Sequence, residues 1–394
     1  MSKEYAQMGF LAETDTPLNT ILTDFYASFP AAFYTPGTDS LTIITGNDYS
    51  DFELNGVIAH ELTHALQDQQ LNTNLSIFPG YSSYNSDADL ALRSLLEGDA
   101  MFTEYAYYFK KHYSPQAISP FDSSLMVAQE YKTDILNATD TLGAPVFLSV
   151  KNYIPYYLGF DYAGETYHRG GGWSAVNNLY SVSSAPHSSA EINNVSPISI
   201  TYFDFHGIQG LLVSQSGSME FADDDNAGFA LLLGLFYGDL DVERVGRSLD
   251  WRGDRYTYVK RSGQAYGTLV WSMAFANADA AQYMFGKLVK KIGSRRLAKT
   301  TATVDSAADT SNSGMVYTFT STSATTKLKR AGDQIWWLEN TDTLTERIMN
   351  ILQAQKSSPA LAKAGSASSF PMSLSSATKA KVIEIIMNHA FKRR

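Results

Sequence analysis

The chain has 394 residues, 44% hydrophobic and 18% charged, which is too long for one comfortable core and too apolar for disorder. Its formal net charge of -10, with no long basic stripe before the C-terminal "FKRR", argues against nucleic acid as a partner. The absence of cysteine excludes disulfides, thiolate metal sites and a cysteine nucleophile, so any metal must rest on His, Asp and Glu.

The first pattern in chain order is "FPAAFYTPGTDSLTIIT", in which aromatic and β-branched residues flank a Pro36-Gly37-Thr38-Asp39 turn, predicting strands at Ala32 to Tyr34 and Leu41 to Thr45. From Phe52 to Leu71 the apolar residues Leu54, Val57, Ile58, Leu62, Ala65 and Leu66 recur at helical spacing, behind the capping stretch "NDYSD". A second helix is predicted from about Asp87 to His112. Gly98 inside it costs about 1 kcal/mol relative to Ala, so a backbone or a ligand is expected to approach there. A third is predicted at Ser124 to Leu136. The Tyr-, Gly- and Ser-rich stretch from Asn152 to Pro197 reads as loop around a short helix near Trp173 to Tyr180.

Beyond residue 220 the apolar run "AGFALLLGLFYG" predicts a buried helix. It has about half of the roughly 20 residues that a membrane helix requires, so no membrane span is expected. Next come a hairpin in "DRYTYVKRSGQAYGTLVWSM", a helix from Asp279 to Ile292, a second hairpin in "MVYTFTSTSATTKLKRAGDQIWWLE" and a helix from Leu344 to Gln353. This repeated order suggests an α+β accessory domain over residues 216–355. Residues 356–394 read as a Ser/Ala/Gly-rich linker and a basic helix. Abundant Ser, Thr, Asn and Tyr without Cys suit an extracytoplasmic protein, secreted, periplasmic or lipid-anchored. "MSKEYAQMGF" lacks a signal-peptide layout, so export would require a signal absent from the chain as given.

The chemistry concentrates in "VIAHELTHALQDQ", Val57 to Gln69. On a helix, residues i and i+4 share a face, so His60 and His64 can present two imidazole nitrogens to one ion. Glu61, about 100° round the helix, is placed to take a proton from a water held by that ion. A bare HExxH also arises by chance on surface helices. Here every other residue from Val57 to Leu66 is uncharged, which suits burial, and buried ionisable groups need partners.

"VIAHELTHAL" resembles the extended active-site consensus of the zincin metallopeptidases. The glycine and third histidine of the metzincins are missing after His64, where "ALQDQQLNTN" follows, so the chain is more similar to gluzincins of the thermolysin and neprilysin kind. That resemblance implies a zinc ion, a peptide or protein substrate, and a third ligand from a downstream helical glutamate. Glu97 in "LLEGDA" fits, with 32 residues between it and His64. Glu104, Asp99 and His112 are its rivals on the same helix. Asp99 could instead orient a ligating imidazole, and Asp68 could accept the second N–H of His64. Met101 stands where thermolysin-like proteins carry an aspartate. "HALQDQ", "LLEGDA", "RGGGW", "APHSSAEI" and "DWRGDRY" together resemble a group of predicted microbial gluzincin-like proteins. The histidine expected soon after "SAEI" is absent, and "NNVSPI" displaces the proline.

The expected fold is thus α+β, with a zincin-like catalytic domain over residues 1–215, His60, His64 and Glu97 as zinc ligands and Glu61 as general base. Tyr156, Tyr157 and His168 are candidate donors to a developing oxyanion. Gly170 to Gly172 lacks the spacing of a phosphate loop and would let a loop lie close to the site. Ser188, Ser189 and Glu191 with His187 read better as a turn and helix cap than as a serine nucleophile. The alternative function is a zinc-containing protein that binds partners, for example at the cell envelope, and no longer cleaves peptides.

Overall fold

The structure is a computed structural model that describes residues 2–10, 20, 32–35, 38–44, 50–71, 85–112, 145–181, 183–297, 303–309, 314–320, 325–355 and 358–359. It is an α+β protein whose described residues group into two compact units. One gathers residues from Met1–Asp15, Ser83–Asp87 and Pro197–Ala364, and the other from Thr16–Ser82 and Ala88–Ser196. Among the described residues no helix is long and apolar enough to cross a membrane. The helix expected at Ser124 to Leu136 and the basic helix at the end of the chain lie outside the described residues.

The unit that carries the histidine motif holds strands β1 (Ala32–Thr35) and β2 (Ser40–Ile43), an antiparallel pair in the register Ala32 to Ile43 and Thr35 to Ser40. It also holds the helices α1 (Asp51–Leu71), α2 (Ser86–His112), α3 (Val146–Gly170), α4 (Trp173–Asn178) and α5 (Ser189–Asn194). The loop expected from Asn152 onward is instead mostly α3, which runs through Pro155. Proline in a helix interior costs roughly 3 kcal/mol, and burial of Val150, Ile154, Leu158 and Phe160 offsets it.

Gly159, inside α3, has a packing role. A Cβ on it would stand 2.0 Å from the Ser94 carbonyl oxygen, and a Cβ on Gly98 would stand 2.0 Å from the Gly159 carbonyl carbon. The two glycines let the backbones of α2 and α3 touch, so the close approach expected at Gly98 is a helix crossing. Gly171, at φ 93°, caps the end of α3, and Gly172 at φ 97° donates its N–H to the Tyr167 carbonyl. The glycine run is therefore a left-handed helix stop.

The other unit is built on seven antiparallel strands. In chain order its elements are α6 (His206–Val213), β3 (Met219–Asp225), α7 (Gly228–Leu235), α8 (Val242–Gly246), β4 (Trp251–Arg261), β5 (Thr268–Phe275) and α9 (Ala278–Leu297). They continue with β6 (Thr303–Asp309), β7 (Gly314–Thr320), β8 (Thr325–Ala331), β9 (Gln334–Glu339) and α10 (Thr345–Ala354). The sheet order is β3-β4-β5-β9-β8-β7-β6. The stretch expected to hold a second hairpin instead carries three strands, β7, β8 and β9, paired antiparallel in succession, with Gly332 at φ 58° in the turn between the last two.

Side chains alternate across the sheet, and each face has its own cover. Val259, Val270, Trp336 and Leu338 point to one face and pack with Phe205, Ile208 and Leu212 of α6 and Ile348 and Leu352 of α10. Trp271, Trp337, Leu328 and Tyr317 share the opposite face by register, and Phe285 of α9 meets Tyr317 there at a ring separation of 5.6 Å. At the start of the wholly buried α7, the Asp254 carboxylate accepts from Ala227 N–H and Gly228 N–H, and from the indoles of Trp251 and Trp271. Burial raises its pKa to about 6 against the pull of those four donors.

Candidate metal centre

Helix α1 presents its polar face inward. His60, Glu61, Thr63 and Gln67 are buried beside Val57, while Leu62 and Leu66 are 52% and 58% exposed. The two leucines that the helical spacing counts toward a core therefore face outward. A helix has one inward stripe, and here it is given to residues that partner one another.

His60 and His64, one turn apart, bring their Nε2 atoms to 3.2 Å from each other. The Oε2 atom of Glu97, on α2, lies 3.3 Å from both. These three side chains form the one group among the described residues whose donor atoms converge closely enough to hold a metal ion. Three donors bound tetrahedrally at 2.0–2.1 Å from one ion stand about 3.3 to 3.4 Å apart, so the triangle of 3.2, 3.3 and 3.3 Å fits a tetrahedral centre. His60 is 2% exposed, whereas the side chains of His64 and Glu97 are 20% and 19% exposed, so the triangle has a side open to solvent.

Each imidazole has a partner on its second nitrogen. Nδ1 of His64 lies 2.9 Å from Oε1 of Gln67, and Nδ1 of His60 lies 3.4 Å from Oε2 of the buried Glu104, an ion-pair contact that falls short of a formed hydrogen bond. Asp68, the sequence candidate for the His64 contact, instead accepts from the Tyr34 hydroxyl at 3.0 Å. One turn of helix puts Gln67 on the His64 face and carries Asp68 round toward β1. Asp99 acts one residue further out than expected. Its Oδ2 accepts from the Gln67 amide at 3.0 Å and from the Tyr180 hydroxyl at 2.7 Å. Burial and Asp99 hold the Tyr180 phenol well above its ordinary pKa, so it remains a donor.

The electrostatics favour a cation at the triangle. Burial pulls the His60 pKa down, but the Glu104 and Glu97 carboxylates outweigh it and hold the imidazolium up at about 9. Burial likewise pushes Glu97 up, and His60 and His64 outweigh it, holding this carboxyl well below its usual range. In the metal-free protein a proton on His60 Nε2 therefore stands between acceptors that would otherwise repel.

Glu61 is buried, and its Oε2 accepts the backbone N–H of Tyr34 on β1 at 2.9 Å. Of the three candidate oxyanion donors, Tyr156 lies against one member of the triad, its ring stacked at 6.5 Å from that of His60. Tyr157 stacks on Tyr153, and His168 packs on Phe102 and Tyr167. Ser188 is the N-cap of α5, accepting from Glu191 N–H, and the Glu191 carboxylate returns to the His187 N–H. That reciprocal cap explains the Ser-Glu spacing without a nucleophile.

Gln67 and Glu104 are the residues that sequence reasoning missed as partners of the imidazoles. Gln67 had a usable signal, since it lies three residues beyond His64 on the same helix face. Glu104 had a partial one, seven residues or two turns beyond Glu97. Compared with known proteins, the chain matches no family model, and no curated protein or solved structure matches it.

Proposed function

We propose that this chain is a zinc-dependent peptide-bond hydrolase of the gluzincin kind, with a zincin-like catalytic unit built on α1 and α2. The observation that carries the reading is the triangle of His60 Nε2, His64 Nε2 and Glu97 Oε2, spaced for a tetrahedral ion and open on one side. Two imidazoles and one carboxylate are a donor set that suits zinc. Structural zinc sites close with four protein ligands, whereas catalytic ones keep a position free, and the partial exposure of His64 and Glu97 is of the second kind.

Zinc at this position would supply Lewis-acid chemistry and bring the pKa of a water to about 7. The chain's own residues would do the rest. His60, His64 and Glu97 hold the ion, and Glu61, next to His60 on the helix, accepts the proton of the attacking water and delivers it to the leaving amine. The Tyr34 N–H holds one carboxylate oxygen of Glu61 in place, leaving the other for the proton. Tyr156, whose ring stacks on that of His60, is the aromatic candidate for a donor to the developing oxyanion.

The test is cleavage of a mixed peptide pool, followed by mass spectrometry, with purified zinc-loaded protein beside Glu61→Gln. The substitution should retain one zinc per chain and lose at least about 100-fold in rate. Equal rates in the two proteins would refute the assigned base. Zinc binding without cleavage in either would favour a protein that uses the centre for partner binding.

A further inference from the structure

We infer that Gln67 is a positioning residue that fixes His64 as its Nδ1–H tautomer, so that the Nε2 lone pair always faces the metal position. The inference rests on the reading of His60, His64 and Glu97 as a metal centre and concerns what keeps that centre ready. Gln67 is 2% exposed, and every polar atom of its side chain is engaged. Its Nε2 lies 3.0 Å from the Leu96 carbonyl oxygen, 3.0 Å from Asp99 Oδ2 and 2.9 Å from the Tyr180 hydroxyl.

The Leu96 carbonyl has no proton to give, and Tyr180 spends its own proton on Asp99 Oδ2. Turning the amide over would set its oxygen against these acceptors, so the NH2 group must point toward α2 and Tyr180. The amide oxygen is then the group 2.9 Å from His64 Nδ1. An amide oxygen accepts only, so Nδ1 carries the proton and Nε2 is left bare.

Nε2 is the atom that meets Glu97 Oε2 at 3.3 Å and His60 Nε2 at 3.2 Å. An imidazole free to exchange tautomers would spend part of its time with a proton on Nε2, in the place of the ion. Gln67 removes that state before any metal arrives. It does so with a neutral group, whereas the carboxylate of Glu104 stands beside His60 without a formed hydrogen bond. Because the anchors of Gln67 lie on α2 and at Tyr180, the lock forms only when α1 and α2 are docked.

The experiment reads the His64 ring nitrogens by long-range nitrogen–proton NMR in the metal-free protein, and then measures affinity for zinc alone by competition with a chelator. Wild-type His64 should show the Nδ1–H pattern in its neutral form. Gln67→Met keeps the length of the side chain and removes the acceptor, so it should give mixed tautomers and zinc binding weaker by about 10- to 100-fold. Gln67→Glu keeps an acceptor at the same place and, with its other oxygen protonated so that it still donates toward Leu96 and Asp99, should restore the Nδ1–H pattern.

A wild-type ring protonated on Nε2 would overturn the inference, even if Gln67→Met failed to fold. So would an unchanged tautomer in Gln67→Met, or equal loss of the pattern in the Met and Glu variants. Failure of wild-type protein to bind zinc would instead sink the metal centre itself, and the tautomer measurement would still decide the role of Gln67.

Discussion

Replacing Gly98 by alanine should separate the two helices behind the metal centre. A Cβ at Gly98 would stand 2.0 Å from the Gly159 carbonyl carbon, 2.1 Å from its oxygen and 2.5 Å from its Cα. Ordinary contact begins near 3.4 Å, so α2 and α3 must part by roughly 1.4 Å. The clashing atoms are all backbone, and no rotamer change relieves them. The cost should lie at the upper end of the overpacking range, about 3 kcal/mol, or a fall in Tm of about 6–12 °C for a unit of this size.

Glu97 is the residue before Gly98, and metal–ligand distances tolerate only about 0.2 Å, so zinc affinity should drop with stability, by at least about 10-fold. Thermal denaturation followed by circular dichroism, with zinc titration against a chelator, reads both effects. Gly286→Ala is the control. Gly286 lies inside α9, and its added methyl would meet nothing within 4 Å, so it should stabilise the protein by about 0.5–1 kcal/mol through helix propensity alone. A Gly98→Ala protein with wild-type Tm and wild-type zinc affinity would refute the claim that this crossing sets the position of Glu97.

Asp254→Asn should destabilise the sheet unit by about 2–4 kcal/mol, because an amide NH2 would then face donors that the carboxylate now accepts. A chemical denaturation curve with a lowered midpoint and unchanged slope is the expected result. In the metal-free protein the raised pKa of His60, about 9 against about 6.5 in the unfolded chain, contributes stability that is complete below pH 6.5 and is lost as pH rises through 9. The magnitude is about 3 kcal/mol, shared with Glu97, so Tm should fall over that window in wild type and stay level in His60→Gln. Saturating zinc should abolish this fall, since the ion replaces the proton. Stripping zinc with a chelator at pH 8 should lower Tm, by about 4 kcal/mol of stability if zinc had stood at a thousand times its Kd.

Much of the candidate centre was legible because its parts are local. Two histidines four apart and a glutamate between them share a helical stripe wherever the helix docks, and capping residues mark where that helix starts. Glu97 was legible by resemblance, and the structure places its carboxylate at equal distances from both imidazoles. The β1–β2 hairpin, α1, α2, the buried α7, the β4–β5 hairpin, α9 and α10 follow from turn residues and from the change of apolar period, whereas β3 and β6, the two edge strands of the sheet, do not.

Other features depended on contacts between segments far apart in sequence. Helix α3 reads as loop because its stretch is rich in Tyr, Gly and Ser, and only the packing of Gly159 against Ser94 and Gly98 gives a glycine there its use. The outward turn of Leu62 and Leu66 is a tertiary choice, since hydrophobic spacing cannot say that a polar stripe will be buried instead. The hold on Glu61 by Tyr34 joins residues 27 apart through a backbone N–H, a group that every residue but proline offers and so leaves no mark in the sequence. The orientation of Gln67 is decided by Leu96, Asp99 and Tyr180, the last 113 residues away. Sequence determined which residues could bind a metal, because ligand chemistry and helical spacing are local. The tertiary structure decided their protonation and aim, because these depend on acceptors that only folding brings near.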